Sequence, residues 1–450
     1  MKHATNFAKT HVYPLIELTI PLILTGLIQS FCYLLINIFL ARLGQDIYAA
    51  GAIVTWMEAT LIVILFGTLG SISVLVAHKH GAKNEMAIAA ICRDGLLLSL
   101  ILGVLLFYFY RHLASLLYLL GQNPAIIQYA DQFLKALSWS LLPNFIVIVF
   151  LEIAVGMSDS RLVLVLNLVL AVFNTFFSYI FIFGKLGMPA LGIAGAGWGI
   201  AVAQSVACVM FALYMLTHRR YKKYLKNMMG NATKSFLWEI IKIGLPQGLM
   251  YSIEVGFFFA VALCMGAIDT SVLAANQTVM QYLGIFGSIS FAIAQAITVR
   301  MGFLIGSKAF DDAKKVVYVG MIFAALIASI GAVSYFLKPL FFIFIIFNKK
   351  IASDEMIHYA VIFLLLCGVF QILEAVRIAL FGSLRALKDT RYSMLTSIIC
   401  FWCIALPVGY WFAHYTYLGV YGFWLAMSVG AIINIILLSF KLKSKMQLIL

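Results

Sequence analysis

LTIPLILTGLIQSFCYLLINIFLA, residues Leu18–Ala41, runs for 24 residues without a charge. A helix needs about 20 predominantly apolar residues to cross the hydrocarbon core of a bilayer, so this stretch is long enough to span one. Leu162–Gly184, Leu186–Thr217, Thr270–Val299 and Val316–Leu337 are equally free of charge. Tyr392–Phe440 is long enough for two spans, with a break expected at the polar, glycine-containing His414–Gly419. Segmented in this way, the chain divides into about twelve spans of bilayer length. Lipid offers the backbone no water to bond with, so each span is expected to be helical, whereas barrel strands would alternate in polarity. The fold class expected is an all-α polytopic membrane protein with twelve transmembrane helices.

Composition agrees. Apolar residues make up 64% of the 450 residues and charged residues 11%, against roughly 25% charged in soluble domains. The net charge of +14 invites a nucleic-acid partner, but its distribution argues against one. By span count, the basic cluster His218–Lys226, Lys79 with Lys83, Lys308 with Lys314 and Lys315, Arg385 with Lys388 and Arg391, and Lys441, Lys443 and Lys445 all fall on one side. That is the positive-inside pattern. It places both termini in the cytoplasm and offers a surface to anionic lipid. No basic soluble domain remains to hold a nucleic acid. The seven cysteines are scattered through apolar sequence with no metal-type spacing and read as small packing residues. Hydrolase, zinc-protease and phosphate-loop motifs are absent, so neither an enzyme nor a cofactor is expected.

The chain also contains itself twice. Pro14-Leu-Ile-Glu-Leu-Thr-Ile-Pro21 is echoed by Glu239-Ile-Ile-Lys-Ile-Gly-Leu-Pro246, and Gly81 by Gly306. Gly156-Met-Ser-Asp159-Ser-Arg161 is echoed by Ala386-Leu-Lys-Asp389-Thr-Arg391, and Leu191–Gly195 by Leu418–Gly422. Pro21 to Pro246 and Gly81 to Gly306 are each 225 residues apart, Asp159 to Asp389 230, and Gly192 to Gly419 227. Chance likeness between apolar segments would not hold a near-constant offset. Six spans per repeat is an even number, so both halves insert in the same orientation, related by a pseudo-two-fold axis along the membrane normal. The domains expected are a six-helix bundle over 1–216, a basic cytoplasmic linker over 217–235, and a second bundle over 236–450. Substrate is expected between the halves, exposed alternately to either side.

Ionisable residues inside a membrane are costly and mark function. Glu58, Glu152, Glu254 and Glu374 lie in otherwise apolar sequence. Glu254 follows Pro246 by eight residues, about two helical turns. A carboxylate there can exchange a proton or bind sodium. Glu374 and Arg377, three apart, can equally form a static ion pair. Glu58 can serve chemistry or reach for water at the outer side, and for Glu152 both readings stay open. Asn276, Gln277 and Gln281 could complete a site or bond helix to helix. Pro21 and Pro246 are candidate hinges.

These residues together resemble the multidrug and toxic compound extrusion (MATE) family along nearly the whole chain. The likeness is carried by Leu18-Thr-Ile-Pro21, Gly244-Leu-Pro246-Gln-Gly248, Leu40-Ala-Arg-Leu-Gly44, Ala275-Asn-Gln277 and Gly184-Lys-Leu-Gly-Met-Pro189-Ala-Leu-Gly192-Ile-Ala-Gly195-Ala-Gly197. Gly248-Leu-Met-Tyr-Ser-Ile-Glu254 is similar to the NorM branch. The resemblance implies two six-helix bundles in a V and export of small cationic or amphipathic drugs and toxins coupled to H+ or Na+. It also implies a monomer in the bacterial inner membrane. The branch's acids would be Glu254 and Glu374, where Na+ could bind. Phe370 stands where a tyrosine is usual. Asn37 stands where the family has an aspartate, and an amide keeps the shape but loses the charge. Asn174 matches a polar family position, but Ser178 replaces the acid one turn on. The resemblance therefore implies coupling in the second half, with Arg377 as an unusual neighbour. The rival reading is a flippase of lipid-linked oligosaccharides from the same superfamily, whose members often carry extra helices and a basic cavity.

Overall fold

Four helices begin where the sequence supplies a side-chain cap. In the computed structural model, which describes residues 8–119, 123–229, 234–346 and 353–449, Asn84, Asn123, Asp269 and Ser353 each accept a backbone N–H from the first turn of the helix that follows. Capping of this kind satisfies donors that a helix start otherwise leaves free. Among the described residues, twelve helices are long and apolar enough to cross a membrane. In the first half these are α1 (Tyr13–Ala41), α2 (Gln45–Gly81), α3 (Glu85–His112), α4 (Pro124–Gly156), α5 (Ser160–Phe183) and α6 (Ile193–Thr217). In the second they are α7 (Leu237–Ile268), α8 (Thr270–Gly306), α9 (Phe310–Leu337), α10 (Asp354–Ala386), α11 (Thr390–Tyr415) and α12 (Tyr421–Ile449). The break expected at His414–Gly419 takes in the last two residues of α11 and most of the turn before α12. The chain is a multi-pass membrane protein, and the described residues contain no strand.

The repeat extends to backbone conformation. After α2, α4, α8 and α10 the chain turns through one residue with positive φ: Lys83 (53°), Ser158 (60°), Lys308 (63°) and Lys388 (61°). Each turn is closed by the same bond, an N–H reaching back five residues: Asn84 to Lys79 O, Asp159 to Ala154 O, Ala309 to Leu304 O and Asp389 to Leu384 O, all at 2.9–3.0 Å. This is the left-handed helix cap, here without glycine at the turning residue. Lys83 and Lys308 keep the 225-residue offset, and Ser158 and Lys388 the 230-residue one. The aspartates that follow do matching work. Asp159 accepts Arg220 Nη1 at 3.0 Å and the Tyr221 hydroxyl at 2.8 Å. Asp389 faces Lys445 Nζ at 3.4 Å and Lys441 Nζ at 3.7 Å. Each repeat's aspartate thus holds the basic sequence at the end of its own sixth helix. Burial and the Asp159 carboxylate push the Tyr221 phenol above its ordinary range.

Contacts divide the chain into two units, Ile20–Gly244 and Met1–Thr19 with Leu245–Leu450. Both divisions fall just before a proline inside a helix, Pro21 in α1 and Pro246 in α7. The start of α1 and the residues just before it belong to the C-terminal unit, where His11 Nε2 lies 3.6 Å from Asp312 and Thr10 O accepts from Arg300 Nη2 at 3.3 Å. The start of α7 belongs to the N-terminal unit. Ile240 O accepts from Ser71 Oγ at 2.9 Å, and Asp94 takes the Ser235 hydroxyl at 2.9 Å and the Phe236 N–H. Each repeat therefore lends the opening of its first helix to the other unit. A proline has no N–H for the helical ladder and crowds the preceding turn, so it is a natural place for a helix to part company with itself.

Candidate functional site

α7, α10 and α11 of the C-terminal unit bring the second-half acids together. Glu254 sits on α7 past Pro246, and Glu374 and Arg377 share one face of α10. Arg377 donates from Nε to Glu374 Oε2 at 2.8 Å, from Nη2 to Glu374 Oε1 at 2.6 Å, and from Nη1 to Glu254 Oε1 at 2.7 Å. The first two bonds make a bidentate fork, the strongest geometry a guanidinium offers a carboxylate. Ser397 Oγ closes the ring, 3.3 Å from Glu254 Oε1 and 3.4 Å from Arg377 Nη1. The cluster is inside the unit: Arg377 is 2% exposed and both glutamates 8%.

Local backbone geometry positions the fourth side. α11 widens into a π-helical stretch over Ile398–Ala405, immediately after Ser397. π-turns recur at functional sites because the extra residue re-aims side chains. Here Phe401 lies under the guanidinium, 5.1 Å from ring centroid to Arg377 Cζ, a cation–π contact. Trp402 Nε1 donates to Ile253 O at 3.0 Å, tying α11 to α7 beside Glu254. With both glutamates ionised, the cluster carries one net negative charge held by one internal cation.

The other second-half candidates stay outside this cluster. Phe370 is fully buried among aromatics, 6.1 Å from Trp424 and 6.5 Å from Phe258, so it packs. Asn276 is fully buried, and neither amide atom has a hydrogen-bond partner among the described residues. Gln277 and Gln281 are exposed on α8. Sequence placed these three polar residues near one site, and the structure separates them by burial.

The N-terminal unit holds a cavity of about 190 Å³. Asn174 lines it, with Gln29, Asn144, Asn167, Gln204 and Glu58. Gln29 Nε2 donates to Asn167 Oδ1 at 2.9 Å. The carbonyl oxygens of Asn174 and Gln204 are buried without partners among the described residues. Glu58 is half-buried and faces this cavity. Asn37 does not line it, and its Nδ2 bonds to its own helix at Tyr33 O, 3.1 Å away. The amides now seen around Glu58 were visible only as isolated polar residues in separate apolar spans, with nothing in their spacing to group them.

Buried charge on bilayer-length helices, organised over two repeated units, is the architecture of a membrane transporter. Comparison with known proteins supplies the family. The MatE family model matches residues 21–180 and again 246–411, once in each repeat, and the chain belongs to that family. It is a transporter and not an enzyme. A Pseudomonas putida protein described as "Probable multidrug resistance protein NorM" is 27% identical over 445 residues, covering 98% of this chain and 96% of that protein. A Pseudomonas aeruginosa protein of the same description is 29% identical over 401 residues, 88% and 81% of the respective chains. Among solved structures, the outward-facing conformation of a multidrug resistance MATE family transporter of the MOP superfamily superposes with TM-score 0.86 at 20% identity, covering 97% of this chain and 96% of that one. A MATE crystal structure in complex with MaL6 superposes with TM-score 0.86 at 19% identity over the same shares.

Proposed function

We propose that this protein exports small cationic or amphipathic compounds from a bacterial cell, by antiport against H+ or Na+ with alternating access. The observation that carries the reading is the Glu254–Arg377–Glu374 cluster, buried within helices of membrane-spanning length. Burying two acids is expensive unless something uses them. The cluster's asymmetry suits a coupling role. Glu374 is held by two guanidinium bonds and Glu254 by one, so Glu254 is the carboxylate more easily released. Neutralising it would weaken the charge-assisted bond from α7 to Arg377 on α10, close to the proline where α7 divides between units. Pro21 and Pro246 would act as the hinges. The basic loops would face the cytoplasm together with both termini, beside anionic lipid in the inner membrane, and the protein would work as a monomer. Against the flippase reading, the residues lining the N-terminal cavity include a carboxylate and no lysine or arginine, a poor match for a pyrophosphate-linked sugar.

The test is dye efflux from vesicles containing the purified protein, under imposed proton and sodium gradients in turn. Glu254→Gln and Glu374→Gln should each abolish gradient-driven efflux while the protein still folds. Undiminished transport in both variants would remove the second-half acids from the mechanism.

A further inference from the structure

A metal cation bound between Glu254 and Glu374 must find oxygen there. A hard metal ion gathers about six oxygen ligands. Both oxygens of Glu374 and one of Glu254 already accept from Arg377, and the Glu254 oxygen also accepts from Ser397. Only Glu254 Oε2 accepts no hydrogen bond among the described residues. Nor do any three His, Cys, Asp or Glu side chains converge elsewhere among the described residues. The guanidinium itself lies where an ion would have to sit, with Phe401 closing one of its faces and Ser397 its Nη1 edge. The residues present do not fit a bound sodium ion.

We infer that Arg377 is the built-in cation of this site and closes it to Na+. The inference deepens the antiport reading, on which its bearing on the driving ion rests: sodium cannot be the ion that acts at Glu254 and Glu374. Charge supports the geometry. A sodium ion arriving at Glu254 Oε2 would meet a fixed positive charge already bonded to the same carboxylate, on a guanidinium only 2% exposed, where screening is weak. One free oxygen is too few for a metal ion and enough for a proton.

Removing the guanidinium should reverse the selectivity. In Arg377→Gln, the two carboxylates, the Ser397 hydroxyl and the new amide oxygen would surround the vacated position with oxygen donors alone. In Arg377→Lys the charge stays and the site should remain closed. The experiment is thermal unfolding of the purified full chain in detergent, in NaCl against KCl at equal ionic strength, since an ion that binds only the folded state raises its unfolding temperature. The unaltered protein and Arg377→Lys should unfold at the same temperature in both salts. Arg377→Gln should show a saturable, sodium-specific rise that is lost when Glu254→Gln is added.

A saturable sodium-specific rise in the unaltered protein that disappears in Glu254→Gln would overturn the inference. So would an Arg377→Gln protein that folds and still ignores sodium. If Arg377→Gln does not fold, the unaltered protein and its Glu254→Gln variant still decide the question. Efflux under the two gradients is read separately. Failure of both gradients to move dye would count against the antiport reading and leave the binding result standing.

Discussion

Replacing Arg377 with methionine should be among the most damaging single changes in the C-terminal unit. Three charge-assisted bonds at 2.6, 2.7 and 2.8 Å end on this side chain. Bonds to charged groups contribute about 1.5–3 kcal/mol each, but the cost of burying the guanidinium offsets much of that. The net loss on breaking a buried pair is about 3–5 kcal/mol, most of it from the charge left without a partner. In this cluster two carboxylates would be stranded together. The same reasoning says the cost belongs to the mismatch and not to the position. Arg377→Met combined with Glu254→Gln and Glu374→Gln should regain most of the lost stability, because no charge is left buried. Reversible unfolding in mixed micelles would measure both variants at neutral pH, and adding the Glu254→Gln/Glu374→Gln variant completes the cycle that gives the coupling of Arg377 to the two acids. A single variant within about 1 kcal/mol of the unaltered protein, well under the 3–5 kcal/mol typical of broken buried pairs, would refute the argument. A triple variant no more stable than the single would do the same.

Three further substitutions probe the scaffold. Gly199 in α6 and Gly382 in α10 meet neighbouring backbone so closely that an added Cβ would lie 2.4 Å from Ser178 Cα and 2.5 Å from Ala294 O; Gly199→Ala and Gly382→Ala should each cost about 1–3 kcal/mol, as overpacking does, seen as a lower unfolding temperature. Asn37→Asp should assemble normally, since the amide N–H reaches only its own helix and the side chain is half-buried; loss of the protein from the membrane fraction would count against this.

Much of the fold was readable because membrane helices announce themselves. Charge-free runs such as Leu18–Ala41 and Tyr392–Phe440 follow from the cost of burying charge in lipid, and that cost applies position by position along the chain. The turns at Asp159 and Asp389 were visible as a repeated motif, although their left-handed residues, Ser158 and Lys388, gave no sign of it because neither is glycine. The Glu374–Arg377 pair was legible from its three-residue spacing. Its bond to Glu254 was not, because that contact depends on how α7 packs against α10 across 123 residues of chain. The π-turn that brings Phe401 beneath the guanidinium leaves no clear mark in an apolar stretch. The exchange of helix openings at Pro21 and Pro246 was likewise hidden. A proline says where a helix can part and not which neighbours each part will choose.

The two units surround glutamates of their membrane spans differently: Glu254 and Glu374 are buried in one, and Glu58 is half-buried in the other. In the C-terminal unit the protein supplies its own cation, and Arg377 fills the space between two acids. In the N-terminal unit Glu58 faces a cavity lined by amides, two of whose carbonyl oxygens lack partners among the described residues. The backbone of the repeat is preserved to the level of individual φ angles, so fold does not account for the difference. Side-chain identity does. A proton taken up at the free Oε2 of Glu254 would remove the charge that strengthens its bond to Arg377, so the link between α7 and α10 depends on the state of Glu254. A glutamate beside a cavity carrying several amides among apolar residues has no guanidinium to release. In the antiport reading proposed above, movement of the helices would be tied to chemistry at Glu254, Glu374 and Arg377, the cluster that the first half of the duplicated scaffold does not repeat.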